Sequence, residues 1–104
     1  MQDLTNKFGL QVELKDFSQK QYAEFQPQVL RATRDYYFEF GSDGGLTANA
    51  AVRSVTIKAA ISAGFLTGIT PEQVDELKPY VATWLSEKIE AHVREVTNPP
   101  PDPN

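Results

Sequence analysis

Cysteine is missing altogether from this chain of 104 residues. Its absence excludes disulfides, thiolate nucleophiles and cysteine-ligated zinc, and it removes any redox clue to compartment. Histidine is nearly as scarce. His92 is the single one, so no histidine pair or histidine metal triad can form. No apolar run approaches the ~20 residues that a membrane span needs. The opening stretch MQDLTNKFGL has no basic segment followed by an apolar core, so no signal peptide is expected and the expected location is the cytoplasm. Clustered positive charge is lacking too. Ten Lys/Arg stand against fourteen Asp/Glu, for a formal net charge of -4. The basic residues Lys7, Lys15, Lys20, Arg31, Arg34, Arg53, Lys58, Lys78, Lys88 and Arg94 are scattered singly or in loose pairs. Phosphate recognition by counterion release needs a basic face, so neither nucleic acid nor an anionic membrane is an expected partner. The mild acidity supports solubility.

What is present is helical patterning, in a length that fits one domain able to bury a modest core unaided. Residues 7–15, KFGLQVELK, alternate strictly, with Phe8, Leu10, Val12 and Leu14 on one face. That is the period of a half-buried strand. A lone strand leaves its backbone groups unpaired, so it must find a partner in this chain or in another. Ser18 then offers a helix N-cap ahead of QKQYAEFQ. Pro27 should interrupt the helix or start a new one. Yet Tyr22, Phe25, Val29, Ala32, Tyr36 and Phe40 keep helical spacing across it, which predicts two short helices or one kinked helix over 18–40. DYYFEF also has strand character, and a strand there would be the natural partner of 7–15; helix is the preferred reading.

Three glycines in Gly41-Ser42-Asp43-Gly44-Gly45 mark a flexible loop. A small-residue helix should follow, capped by Thr47 and ended by Gly64 as a left-handed C′ residue, with Phe65 and Leu66 clamping behind it. Thr70-Pro71-Glu72-Gln73 is a capping-box signature. The short helix it starts must stop before Pro79, where a longer amphipathic helix begins and runs to about Val96. Tyr80, Val81, Trp84, Leu85, Ile89, His92, Val93 and Val96 form its apolar face. PPPDPN cannot continue a helix.

These elements predict a mostly α fold: a small bundle of four or five helices with one N-terminal β-strand, or a short hairpin in its place. Residues 1–97 form the single domain and 98–104 a flexible proline-rich tail.

Candidate chemistry is thin. His92 beside Glu95 fits the edge of the helix face better than it fits a general base. Asp43 supplies one acidic ligand where a calcium loop needs several, and the same glycines lack the lysine of a phosphate loop. Glu72, Asp75 and Glu76 suit the N-terminal end of a helix dipole. No serine sits in a nucleophile-elbow pattern. No catalytic, metal or cofactor site is therefore expected, and the chain reads as a non-enzyme. Trp84 and Tyr80 serve either as core or as an interface anchor. The run Tyr36-Tyr37-Phe38-Glu39-Phe40 is different. Its aromatics cannot all face one core in either a helix or a strand. Tyr36, Tyr37, Phe38 and Phe40 are therefore the candidate protein-binding residues.

The order of QVELKDFS, the small-residue helix ending AAISAGFLTG, and the close VDELKPYVATWLSEKIEAHVREVTNPP resembles small tailed-bacteriophage proteins of the tail assembly chaperone type. The resemblance is strongest over residues 47–100. It implies a non-enzymatic role in virion morphogenesis in the host cytoplasm, with a tape-measure or tail-tube protein as partner; a homo-oligomer is the further association that the strand at 7–15 suggests, were it to pair between subunits. The competing reading is a small phage-encoded inhibitor or regulator of a host defence protein.

Overall fold

Residues 2–3, 8–40 and 45–98 are described by a computed structural model. Four helices and three short strands follow in the order β1 (Gln2–Asp3), β2 (Glu13–Leu14), α1 (Gln19–Phe40), α2 (Gly45–Ala63), β3 (Leu66–Thr67), α3 (Pro71–Asp75) and α4 (Pro79–Thr97) among the described residues. The fold is the mostly helical bundle with N-terminal strand pairing that the patterning predicts; the third strand, Leu66–Thr67, comes from between α2 and α3 and is not part of that expectation. The glycine-rich break at 41–44 and the proline tail from 99 onward lie outside the described residues.

The alternating segment forms less strand than its pattern suggests. Only Glu13–Leu14 is strand, and it lies between the other two, antiparallel to both, with Leu14 opposite Gln2 and Leu66. Its partners come from the same chain, so no partner subunit is needed to complete it. Both of its partners are two residues long, and upstream of it Phe8 and Gly9 take positive φ, 54° and 77°, which turns the backbone out of the extended region. Val12 and Leu14 still point into the core as the alternation requires.

α1 is a single helix across Pro27, and DYYFEF is its last part rather than a strand. Its start is a capping box. The Ser18 hydroxyl accepts from the Gln21 amide, while the Gln21 side-chain oxygen accepts from the Ser18 amide at 2.9 Å. The Gln21 side-chain nitrogen then donates to the Ala63 carbonyl at 3.0 Å, which fastens the start of α1 to the end of α2.

α2 begins at Gly45, two residues before the expected cap Thr47. It ends in the pair of bonds that defines a Schellman motif: Gly64 N–H to Ile61 and Phe65 N–H to Ala60. Phe65 and Leu66 follow into the core, fully buried. The Thr70 capping box is formed as its sequence signature requires, and Pro71 and Pro79 each open a helix.

α2 is apolar on nearly all sides, which is the character of a helix surrounded by others. α1, α3 and α4 all pack against it. The core joins Ile57, Ala59 and Ala60 of α2 to Phe25 of α1, Leu85 and Ile89 of α4, Val74 of α3, and Val12, Leu14 and Leu66 of the sheet. Phe65 lies at its centre, with its ring 4.6 Å from Phe17 and 5.1 Å from Phe25.

Candidate functional site

α1 and α4 both pack on α2. Between them is a cleft of about 230 Å³, walled by Phe25 and Val29 of α1 and by Glu90, Val93 and Arg94 of α4, with Thr56 of α2 at its floor. The Thr56 hydroxyl donates to the Val52 carbonyl at 2.8 Å, so the floor presents no unsatisfied donor. Val29 and Val93 are half-buried against the core. Glu90 and Arg94 are exposed and supply a charged rim of both signs. A second depression, lined by Phe17, Ser18, Gln19, Tyr22, Val96 and Thr97, lies where the start of α1 meets the end of α4.

The helical stripe Tyr22, Phe25, Val29, Ala32, Tyr36 explains this geometry. Its spacing of three and four residues keeps one face of α1 apolar throughout. α2 buries Phe25 and Ala32, whereas Tyr22, Val29 and Tyr36 are only half covered. Of the four aromatic residues singled out as protein-binding candidates, Tyr36 is half-buried on this stripe and Phe38 is 80% exposed. The side chains of Tyr37 and Phe40 lie outside the described residues. Leu30, two turns before Phe38, is 59% exposed, so the outward side of α1 carries apolar surface as well.

A separate aromatic cluster sits on the first turns of α4. Phe8 meets Tyr80 edge-on at 5.4 Å and Trp84 edge-on at 5.3 Å. Tyr80 is 60% exposed and Trp84 is half-buried, so the indole belongs partly to the core and partly to the surface.

His92 is more deeply placed than a residue at the edge of the helix face. It is 1% exposed, and its ring faces Phe17 at 5.7 Å and Phe65 at 6.3 Å. Its Nε2 lies 2.7 Å from the Lys15 carbonyl oxygen. A carbonyl can only accept, so Nε2 carries the proton. Nδ1 is buried with no hydrogen-bond partner among the described residues. The Lys15 N–H donates to the Phe65 carbonyl at 2.8 Å, so this one residue links the sheet and α4 through both of its backbone groups. His92 is thus a structural tie. The acidic residues of α3 are exposed, and Asp75 pairs with Lys58 at 2.8 Å. Asp43 lies outside the described residues. Among the described residues no cluster of three metal-ligating side chains forms, and no helix is long and apolar enough to cross a membrane.

The cleft is the feature that sequence reading missed as a site. The spacing of Phe25, Val29 and Val93 marks them as inward-facing, but it carries no sign that they would line one depression between α1 and α4. Comparison with protein-family models, with curated proteins and with solved structures finds no match to this chain.

Proposed function

We propose that this protein is a non-catalytic binding module that holds an apolar face of a helical partner in the cleft between α1 and α4. The observation that carries the reading is the cleft itself: two helix walls over a third helix, with Phe25, Val29 and Val93 lining it and Glu90 and Arg94 at its rim. An amphipathic helix lays its apolar stripe into such a groove and its charges along the border. Tyr36 lies seven residues beyond Val29 on the same helical face, and Phe38 extends the apolar surface outward. Tyr36, Tyr37, Phe38 and Phe40 together are the proposed continuation of the contact along α1.

The partner proposed is a phage tape-measure or tail-tube protein, bound during tail assembly. The resemblance of residues 47–100 to tail assembly chaperones supports this choice. So does the chemistry, because a long helical protein with exposed apolar stripes needs those stripes covered until it is assembled. Co-expression with the tape-measure and tube proteins encoded in the same genome tests the proposal. The expected result is copurification of one of them with this chain. Copurification of a host defence protein instead would replace the proposal with the inhibitor reading, and recovery of the chain alone would refute both.

A further inference from the structure

A second cavity, about 200 Å³ in volume, lies where α2, α3 and α4 come together, and it shares no residue with the cleft between α1 and α4. Val74, Leu77 and Ala82 give it an apolar wall continuous with the core. Arg53 of α2 and Asp75 of α3 give it two charges of opposite sign. Arg53 is half-buried. Its Nη1 donates to the Thr83 hydroxyl oxygen at 3.0 Å, and that hydroxyl donates in turn to the Pro79 carbonyl at 2.9 Å. α2 and α4 thus hold the guanidinium in one place. Its partner is neutral, however, and among the described residues no carboxylate pairs with Arg53. A cation partly withdrawn from water is ordinarily paired, and the guanidinium fork matches a carboxylate through two parallel bonds. Asp75 does not take that role. Its Oδ1 meets the Lys58 ammonium at 2.8 Å. A carboxylate has about four lone-pair sites, so Asp75 can accept from a second ammonium as well.

We infer that this cavity is a binding site for a free aliphatic amino acid, of which leucine is the type. The ligand's carboxylate pairs with the Arg53 fork, its ammonium with Asp75, and its side chain packs on Val74, Leu77 and Ala82. Arg53 and Asp75 line one cavity but form no ion pair with each other, so a molecule carrying both charges can bridge them. A simple anion matches less of the site. It would meet Arg53, be repelled by Asp75 and leave the apolar wall uncovered. An acidic side chain or a chain terminus of a protein likewise carries only one of the two charges. The volume sets the size, since pockets for drug-sized ligands run to roughly 300–1,000 Å³. The site stands whether or not the cleft between α1 and α4 binds a helix.

Titration of the full chain with three probes, followed by amide NMR, tests the site. The probes are leucine, leucinamide, which lacks the carboxylate, and 4-methylpentanoate, which lacks the ammonium. Leucine should produce saturable shifts around Arg53, Asp75 and Thr83, and each of the other two should bind about tenfold more weakly. Two variants assign the charges. Arg53→Gln should weaken leucine about tenfold and leave leucinamide unchanged. Asp75→Asn should weaken leucine and leave 4-methylpentanoate unchanged. The Asp75 side chain is 61% exposed, so its replacement spares the fold and decides the matter even if Arg53→Gln unfolds. No saturable shift with leucine up to about 10 mM, equal affinity for leucine and 4-methylpentanoate, or unaltered leucine affinity in Asp75→Asn would overturn the inference.

Discussion

Trp84 carries the largest side chain on α4, and its half-burial sets what its removal does. Its indole packs against the core on one side and meets the Phe8 ring at 5.3 Å on the other. Truncating a fully buried tryptophan costs about 3–5 kcal/mol, so Trp84→Ala should destabilise by about 2 kcal/mol in chemical denaturation. Gly68 is the opposite kind of residue, since it contributes backbone rather than side chain. It has φ 95°, and a Cβ there would collide with the Gln11 carbonyl. Gly68→Ala combines a strained conformation with a clash against backbone that cannot turn aside, so a loss of about 3 kcal/mol is expected, read from the same denaturation curves. Neither effect was legible in the sequence. The periodicity of α4 puts Trp84 and Leu85 on one face alike, yet Leu85 is fully buried in the core while Trp84 lies at its margin, where Phe8 from the far end of the chain meets it. Nothing adjacent to Gly68 announces that Gln11 will cross it. His92 was underestimated for a related reason: its partner, the Lys15 carbonyl, is 77 positions away.

At the scale of elements, local signals were reliable wherever the chemistry is local. The Thr70 capping box, the prolines that open α3 and α4, and the Gly64 helix end all form as their residue types require, because each is satisfied by groups within a few positions. α1 is where local and tertiary signals compete. Pro27 lies inside it, with no N–H to offer the Ala23 carbonyl, and yet the helix runs on to Phe40. The apolar stripe from Tyr22 to Tyr36 rests along α2, and that packing outweighs the lost hydrogen bond. The Gln28 side chain also donates to the Glu24 carbonyl at 2.9 Å, one residue from the gap. Pro27 is exposed, so its replacement by alanine disturbs no core contact. Pro27→Ala restores the missing bond, and even after the unfolded chain gains freedom it should stabilise the domain by about 1 kcal/mol, visible as a raised melting temperature. The same competition governs β2. Alternation persists over nine positions, from 7 to 15, but the left-handed turn at Phe8 and Gly9 interrupts the extended backbone, and two-residue partners pair only Glu13–Leu14.

For the whole molecule, the decisive fact is how two long helices, α1 and α4, and the short α3 share the central helix α2 between them. α1, α3 and α4 all pack on α2, and a depression lined by Phe25, Val29, Thr56, Glu90, Val93 and Arg94 lies between α1 and α4. The general class of fold was legible, since periodicity and caps define the number and type of helices. The cleft was not, because its lining comes from residues far apart in the chain, Phe25 and Val29 against Val93 and Arg94, and depends on how side chains meet across α2. The proposed function rests on that cleft, and its most direct test is a titration. The purified protein should be titrated with the tape-measure and tube proteins, beside a Val29→Gln/Val93→Gln variant whose helicity and cooperative melting are verified first. The account predicts binding by the wild type and at least a tenfold weaker affinity for the variant, a difference of about 1.4 kcal/mol. Equal affinity of the folded variant, or no binding by the wild type to either protein, would contradict it.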